Sequence, residues 1–355
     1  MTAPLTLLIG TYTEGPSGLG AGLYRCPVVA ATGALGAPRR IAALRNPTYL
    51  ATHPALDGTL YAIEETAAPA LVRLHLTSSG ARVLQRRRLT GSGACHLAVS
   101  PDGRYLATAQ YQSGHVDLFS LGGDGAIGAH LAAFHAEGNG PNPARQRGPH
   151  AHCVLFLTDP DVLAVADLGR DCVTLFDLAA GAPELRANTA RQIAFPPGSG
   201  PRHFGFHPDG KFAYVINEIK QTVTAFRYRA KRGRLKTLQT VSTVPHSVEG
   251  NSTAEVLVHP SGKFLYGSNR GHNSIAMFRI NEKNGKLTAL GHESTRGSTP
   301  RNFGIDPTGP FLLAANQQTD NVAVFRINQD TGKLKFTGNE IKLSKPVCVR
   351  MILQD

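Results

Sequence analysis

Arginine, histidine and glutamate recur in short polar phrases between apolar runs. They include His150 and His152 in GPHAH, Arg202 and His203 in GPRH, Glu218 in INE, Glu255 in AEV, Arg270 in SNR, Arg301 in PRN and His96 in ACH. A guanidinium grips phosphate or carboxylate through paired N–H donors and stabilises an oxyanion as it develops. A histidine, with an ordinary pKa of about 6.5, carries protons near neutrality, and a carboxylate held among arginines stays ionised and can orient a water. Gathered in one place, these residue types would support proton transfer beside a bound anion.

What must gather them is a repeat. An alternating apolar strand ending in a proline turn recurs as YLATHP, HLAVSP, VLFLTDP, FGFHP, VLVHP and FGIDP, with prolines at 54, 101, 160, 208, 260 and 307. Five of the six are soon followed by a glycine that closes a tight turn. A spacing of about 50 residues suits a four-stranded propeller blade. After Pro208, for example, FAYVINE, TVTAFRY and LKTLQTVSTV supply three more strands. The chain ends supply one further unit if joined, with KPVCVRMIL as its first strand and LTLLIGTYT, GLYRCPVV and LGAPRRIAAL as the others. The expectation is an all-β, seven-bladed β-propeller of four-stranded antiparallel blades. It forms one domain over residues 1–355, and pairing of the two termini leaves no open sheet edge. No segment carries helical periodicity.

In such a blade the start of the innermost strand and the end of the second strand lie on one face, around the central channel. The inner-strand starts carry Asn46, Tyr49, Cys95, His96, His150, His152, Arg202, His203, Glu255, Arg301 and Asn302. The second-strand ends carry Thr11-Tyr12-Thr13, Glu64-Glu65, Gln110-Tyr111, Asp167, Asn217-Glu218, Asn269-Arg270 and Asn316-Gln317. Asn217, Asn269 and Asn316 hold equivalent positions, which points to a repeated turn or inter-blade hydrogen bond. His53, His207 and His259, each before a proline, fall at the opposite face, where turn formation accounts for them. One insertion breaks the period: HAEGNGPNPARQRGPHAH, residues 135–152, carries Arg145 and Arg147 and enters the inner strand where the channel residues begin, as a rim or lid would.

The formal charge of +12 favours an anionic small substrate over nucleic acid, because the densest basic clusters, Arg86-Arg87-Arg88 and Lys231-Arg232, are short. Five cysteines lie far apart without a CxxC pair, so they read as reduced thiols rather than a disulfide framework or zinc site. No metal is expected, since the arginines among the histidines and carboxylates would repel a cation. No cofactor is implied. The N-terminus lacks a basic n-region and no segment approaches a membrane span, so the expected location is the cytoplasm.

The phrases GPNPARQRGPHAH, DLGRDCV, GPRHFGFHPDGKFAYVINE, AEVLVHPSGKFLYGSNRGHNSIAMFRI and TPRNFGIDPTGPFLLAANQQTDNVAVFRI resemble the lactonase family of seven-bladed propellers across essentially the whole chain. That family includes bacterial 6-phosphogluconolactonases and the fungal carboxymuconate-cyclising enzyme, and it does not require a metal. The resemblance implies His150, Arg202 and Glu218 as catalytic residues. A further arginine corresponds to Arg270 or Arg301. Their place at the inner-strand starts, rather than the resemblance, puts His152, His203, Glu255 and His96 beside the substrate. Where family members usually show AEIH this chain has AEVL, so Leu257 replaces a histidine.

The function implied is hydrolysis of an anionic sugar lactone, 6-phosphogluconolactone or a related aldonic or aldaric lactone. His150 or Glu218 would be the general base, His150 preferred, with Arg202 at the oxyanion and Arg270 and Arg301 on the anionic group. A lactonising cycloisomerase would use the same arginines, and a non-enzymatic protein-binding propeller is the third reading.

Overall fold

Twenty-eight strands, β1 to β28 in chain order, form seven four-stranded antiparallel sheets in the computed structural model, which describes residues 5–15, 19–157, 161–178, 185, 191–229 and 234–353. Residues 1–4, Pro160 and the Lys231-Arg232 pair lie outside these. Among the described residues there is no α-helix, and no helix long and apolar enough to cross a membrane.

The innermost strands are β4 (Tyr49–Thr52), β8 (Ala94–Val99), β12 (Ala151–Phe156), β16 (Pro201–Phe206), β20 (Ser252–Val258), β24 (Pro300–Ile305) and β28 (Pro346–Leu353). Each packs against the next, and β28 meets β4, so the ring closes. The closing sheet runs β28-β1-β2-β3, with β1 (Leu5–Thr11), β2 (Leu23–Val28) and β3 (Arg39–Ala42). Leu5 stands opposite Leu353 and Gly10 opposite Cys348. The composite blade expected from the two termini is therefore present.

Burial peaks at the second strands and falls towards the rim, and the sequence shows why. Second strands such as β5 (Thr59–Glu64), β13 (Val162–Asp167), β17 (Phe212–Asn217) and β25 (Phe311–Asn316) are buried at every residue, because each is flanked by two strands and covered by a blade on either face. Fourth strands such as β27 (Leu334–Lys342) alternate with solvent. Apolar side chains fill the spaces between neighbouring blades. Phe212, Tyr214 and Ile216 meet Val256, Leu265 and Phe278, while Phe264 and Tyr266 meet Phe303, Leu312 and Phe325. Each fully buried aromatic contributes roughly 2 kcal/mol by leaving water.

The proline turns also clasp the ring. Nε2 of His207 lies 2.9 Å from the carbonyl of Gly262 and that of His259 lies 2.8 Å from the carbonyl of Gly309, each in the following blade. Gly262 has φ +74, and a Cβ there would come within 2.6 Å of His207 Nε2, so the position demands glycine. The structural role expected for these histidines is what the fold uses them for. Arg227, Arg279 and Arg326, on third strands, likewise donate to the carbonyls of Lys283, Asp330 and Ala31 in neighbouring blades, so part of the basic charge is architectural.

Candidate active site

Six of the seven inner strands begin with an irregularity in register against the second strand, and β4 alone does not. In β8, β12, β16 and β24 the unpaired extra residue is Cys95, His152, Arg202 and Arg301. A bulge re-aims a side chain that strict alternation would send elsewhere. In β20 the irregular stretch holds Ala254 and Glu255.

Second-strand ends provide the other half. Gln110, Asp167, Asn217, Asn269 and Asn316 are buried and serve the scaffold. Asn269 Nδ2 donates to Thr243 O at 2.8 Å and Asn316 Nδ2 to Thr295 O at 2.8 Å, both between blades, and Asn217 Nδ2 donates to the hydroxyls of Thr222 and Thr224. The inter-blade hydrogen bond expected of these asparagines is present at Asn269 and Asn316, whereas Asn217 bonds within its own blade. The next residue along, Tyr12, Glu65, Tyr111, Glu218 or Arg270, stands at the channel mouth.

Glu218 is the hub. Its Oε2 lies 2.8 Å from Arg202 Nε and 2.8 Å from Arg270 Nη2, and its Oε1 receives Arg145 Nη2. Burial opposes its ionisation, but Arg270, Arg202 and Arg145 outweigh that and hold the carboxyl well below the usual carboxylate range. Arg202, 2% exposed, is pinned a second time by Nη1 donating to Ala254 O at 2.7 Å, and its Nη2 makes no hydrogen bond among the described residues. Arg270 Nη2 also donates to Thr253 O at 2.8 Å. The two arginines left as alternatives thus differ: Arg270 binds Glu218, whereas Arg301 lies over the Tyr12 ring at 5.5 Å with Glu65 3.9 Å away.

His150 stacks on Tyr111, ring centroids 4.5 Å apart, and its Nδ1 lies 2.7 Å from Tyr111 O. A carbonyl only accepts, so Nδ1 donates to it, and Nε2 has no hydrogen-bond partner among the described residues. The insertion does act as a rim. Arg145 crosses from it to Glu218 and to the Tyr111 hydroxyl at 3.2 Å, while Arg147 turns back to Pro143 O. The repeat register could not have nominated Arg145, because the insertion lies outside it. Its charge and its position ahead of His150 were the available signal.

Below this layer, His152, His203 and His96 form a buried edge-to-face cluster. His152 and His203 have centroids 5.1 Å apart, His203 and His96 5.0 Å, and His96 rests 3.9 Å from Tyr49. Burial, reinforced by neighbouring cations, holds all three well below the ordinary histidine value. Glu255 Oε1 takes His203 Nδ1 at 2.8 Å and Oε2 takes Asn302 Nδ2 at 2.5 Å. Burial pushes the Glu255 carboxyl up to about 7 despite Arg202 and His96. Leu257, where the resemblance led to expect histidine, is half-buried against Phe264 and its neighbours, towards the opposite face. The five cysteines are buried and unpaired, and no group of three or more His, Cys, Asp or Glu among the described residues is arranged to hold a metal.

Residues 6–351 match the family described as Lactonase, 7-bladed beta-propeller. The chain is 34% identical to a 6-phosphogluconolactonase of Bacillus subtilis over 83% of both proteins. It is 32% identical to an uncharacterised Lactococcus lactis protein over 84% of each. In three dimensions it superposes on the periplasmic gluconolactonase of Pseudomonas aeruginosa with a TM-score of 0.91, covering 99% of both chains at 29% identity. Blade count, closure and sequence agree: this chain belongs to the lactonase family of seven-bladed β-propellers.

Proposed function

We propose that the chain hydrolyses a small anionic sugar lactone, 6-phosphogluconolactone or a related aldonic or aldaric lactone, at the Glu218 mouth. The observation that carries this reading is a surplus of positive charge beside a free imidazole nitrogen. Four guanidiniums (Arg145, Arg202, Arg270, Arg301) face two carboxylates (Glu65, Glu218), with His150 Nε2 at the same mouth.

The surplus draws in the phosphate or carboxylate of the substrate, which Arg270, Arg301 and Arg145 hold. Arg202, locked by Glu218 and Ala254 O, offers Nη2 to the lactone carbonyl oxygen and stabilises the oxyanion as it forms. His150 Nε2 takes a proton from the water whose oxygen bonds the carbonyl carbon. The ring C–O bond then breaks, and His150 returns the proton to the departing ring oxygen. Glu218, kept ionised by three cations, is too weak a base for this proton and positions the arginines instead. Large exposed apolar side chains among the described residues are Leu19, Val29, Val83 and Leu353, of which Val29 and Leu353 lie at the same end of one blade, a patch too small to favour the protein-binding platform.

The test is a side-by-side assay of the purified protein on 6-phosphoglucono-δ-lactone, glucono-δ-lactone, an aldarolactone and carboxymuconate. Turnover is expected to favour the phosphorylated or carboxylated lactones. Cyclisation of carboxymuconate with no lactone opened would replace this reading.

A further inference from the structure

The channel continues beneath the histidine cluster. Towards the face opposite the mouth, two cavities of about 280 and 430 Å³ share Tyr49, Leu50, Leu257, Val258 and Arg350 as lining, and so adjoin. The larger reaches His96 and Cys153, the smaller Glu255 and Asn302. Neither is lined by Arg145, Arg202, Glu218, Arg270 or Arg301, so this chamber is separate from the mouth.

Two polar side chains that line it are short of partners. Arg350, on β28, has one hydrogen bond, to Thr52 Oγ1 at 3.4 Å, and no carboxylate within ion-pair distance among the described residues. His96 is 5% exposed, yet its Nδ1 has no hydrogen-bond partner. Arg350 is half-buried, so its guanidinium keeps contact with water and offers a bound anion a cation with no competing counter-charge among the described residues. The walls themselves, Leu50, Leu257, Val258, Phe204 and Phe206, suit a hydrocarbon body.

We propose that this chamber is a second binding site, for a small carboxylate with a compact apolar body. The carboxylate pairs with Arg350, and the body packs between Leu50, Leu257 and Val258. Inorganic phosphate, polar on all sides, leaves those walls unmatched and belongs at the mouth.

Benzoate is the probe, with benzamide as its uncharged counterpart, followed by ligand-observed NMR and titration calorimetry on the full chain. Benzoate should bind saturably, with benzamide weaker by at least about tenfold, the value of a charge-assisted contact. Arg350→Gln should cost a similar factor, and Leu257→Phe, which fills the chamber without touching the charge, should also lower the affinity. Arg202→Ala and an excess of phosphate should leave benzoate binding unchanged. Absence of benzoate binding, equal binding of benzamide, or binding that survives both chamber substitutions but disappears in Arg202→Ala would overturn the proposal. If Arg350→Gln does not fold, Leu257→Phe decides alone.

Discussion

Arg202 Nε and Arg270 Nη2 both lie 2.8 Å from the same oxygen of Glu218. One buried carboxylate oxygen thereby sets the spacing of two cations from different blades. Replacing Arg202 by alanine removes the oxyanion partner, and kcat/KM should fall by about 100-fold or more in steady-state assays. Near-normal turnover would sink the assignment.

Glu218→Gln separates holding charge from placing it. The substitution strips the counter-charge from three arginines, so KM for an anionic lactone should hold or drop while kcat falls. Breaking the buried network should also cost on the order of 3 kcal/mol in denaturant unfolding. A rise in KM with kcat intact would contradict the positioning role.

Arg145 is more exposed than the buried pair, and its loss should register in substrate affinity rather than folding. Arg145→Ala should raise KM for a phosphorylated lactone several-fold while the melting temperature stays close to that of the parent chain.

If surplus charge draws in the substrate, added salt should lower kcat/KM for 6-phosphoglucono-δ-lactone and spare the uncharged glucono-δ-lactone. Equal salt sensitivity for the two would remove the electrostatic argument.

Glu255 gives stability a pH dependence of definite sign. Its carboxyl is raised from 4.5 to about 7 in the folded chain, so between those values the folded state binds more protons than the unfolded one. Its contribution to stability is present below the unfolded value and is lost as pH rises through the folded one. Glu255→Gln keeps the protonated shape. Its melting temperature, measured relative to the parent protein, should therefore climb by a few degrees between about pH 5 and pH 8.

Most of the architecture was legible because it repeats. Once Pro208 and Pro260 mark equivalent turns, Glu218 and Arg270 are assigned to equivalent second-strand ends, and the structure has both at the mouth. The bulges that turn Arg202 and Arg301 were not legible, since an extra residue at a strand start leaves the apolar alternation after it undisturbed. Arg145 escaped for the opposite reason: a loop outside the repeat has no register to say what it touches. The far chamber was hidden because Arg350 lies within an otherwise apolar terminal strand, and only the packed ring reveals that no carboxylate among the described residues pairs with it.

The pairing of β1 with β28 joins segments separated by nearly the whole chain, and it makes folding order part of the design. Contacts within a blade are local and can form as each hairpin arises, but the edge of β1 has no partner until the final strand arrives. The assembling ring therefore passes through a stage with one exposed template edge, and chaperone dependence or intermolecular strand capture should concentrate on that seam.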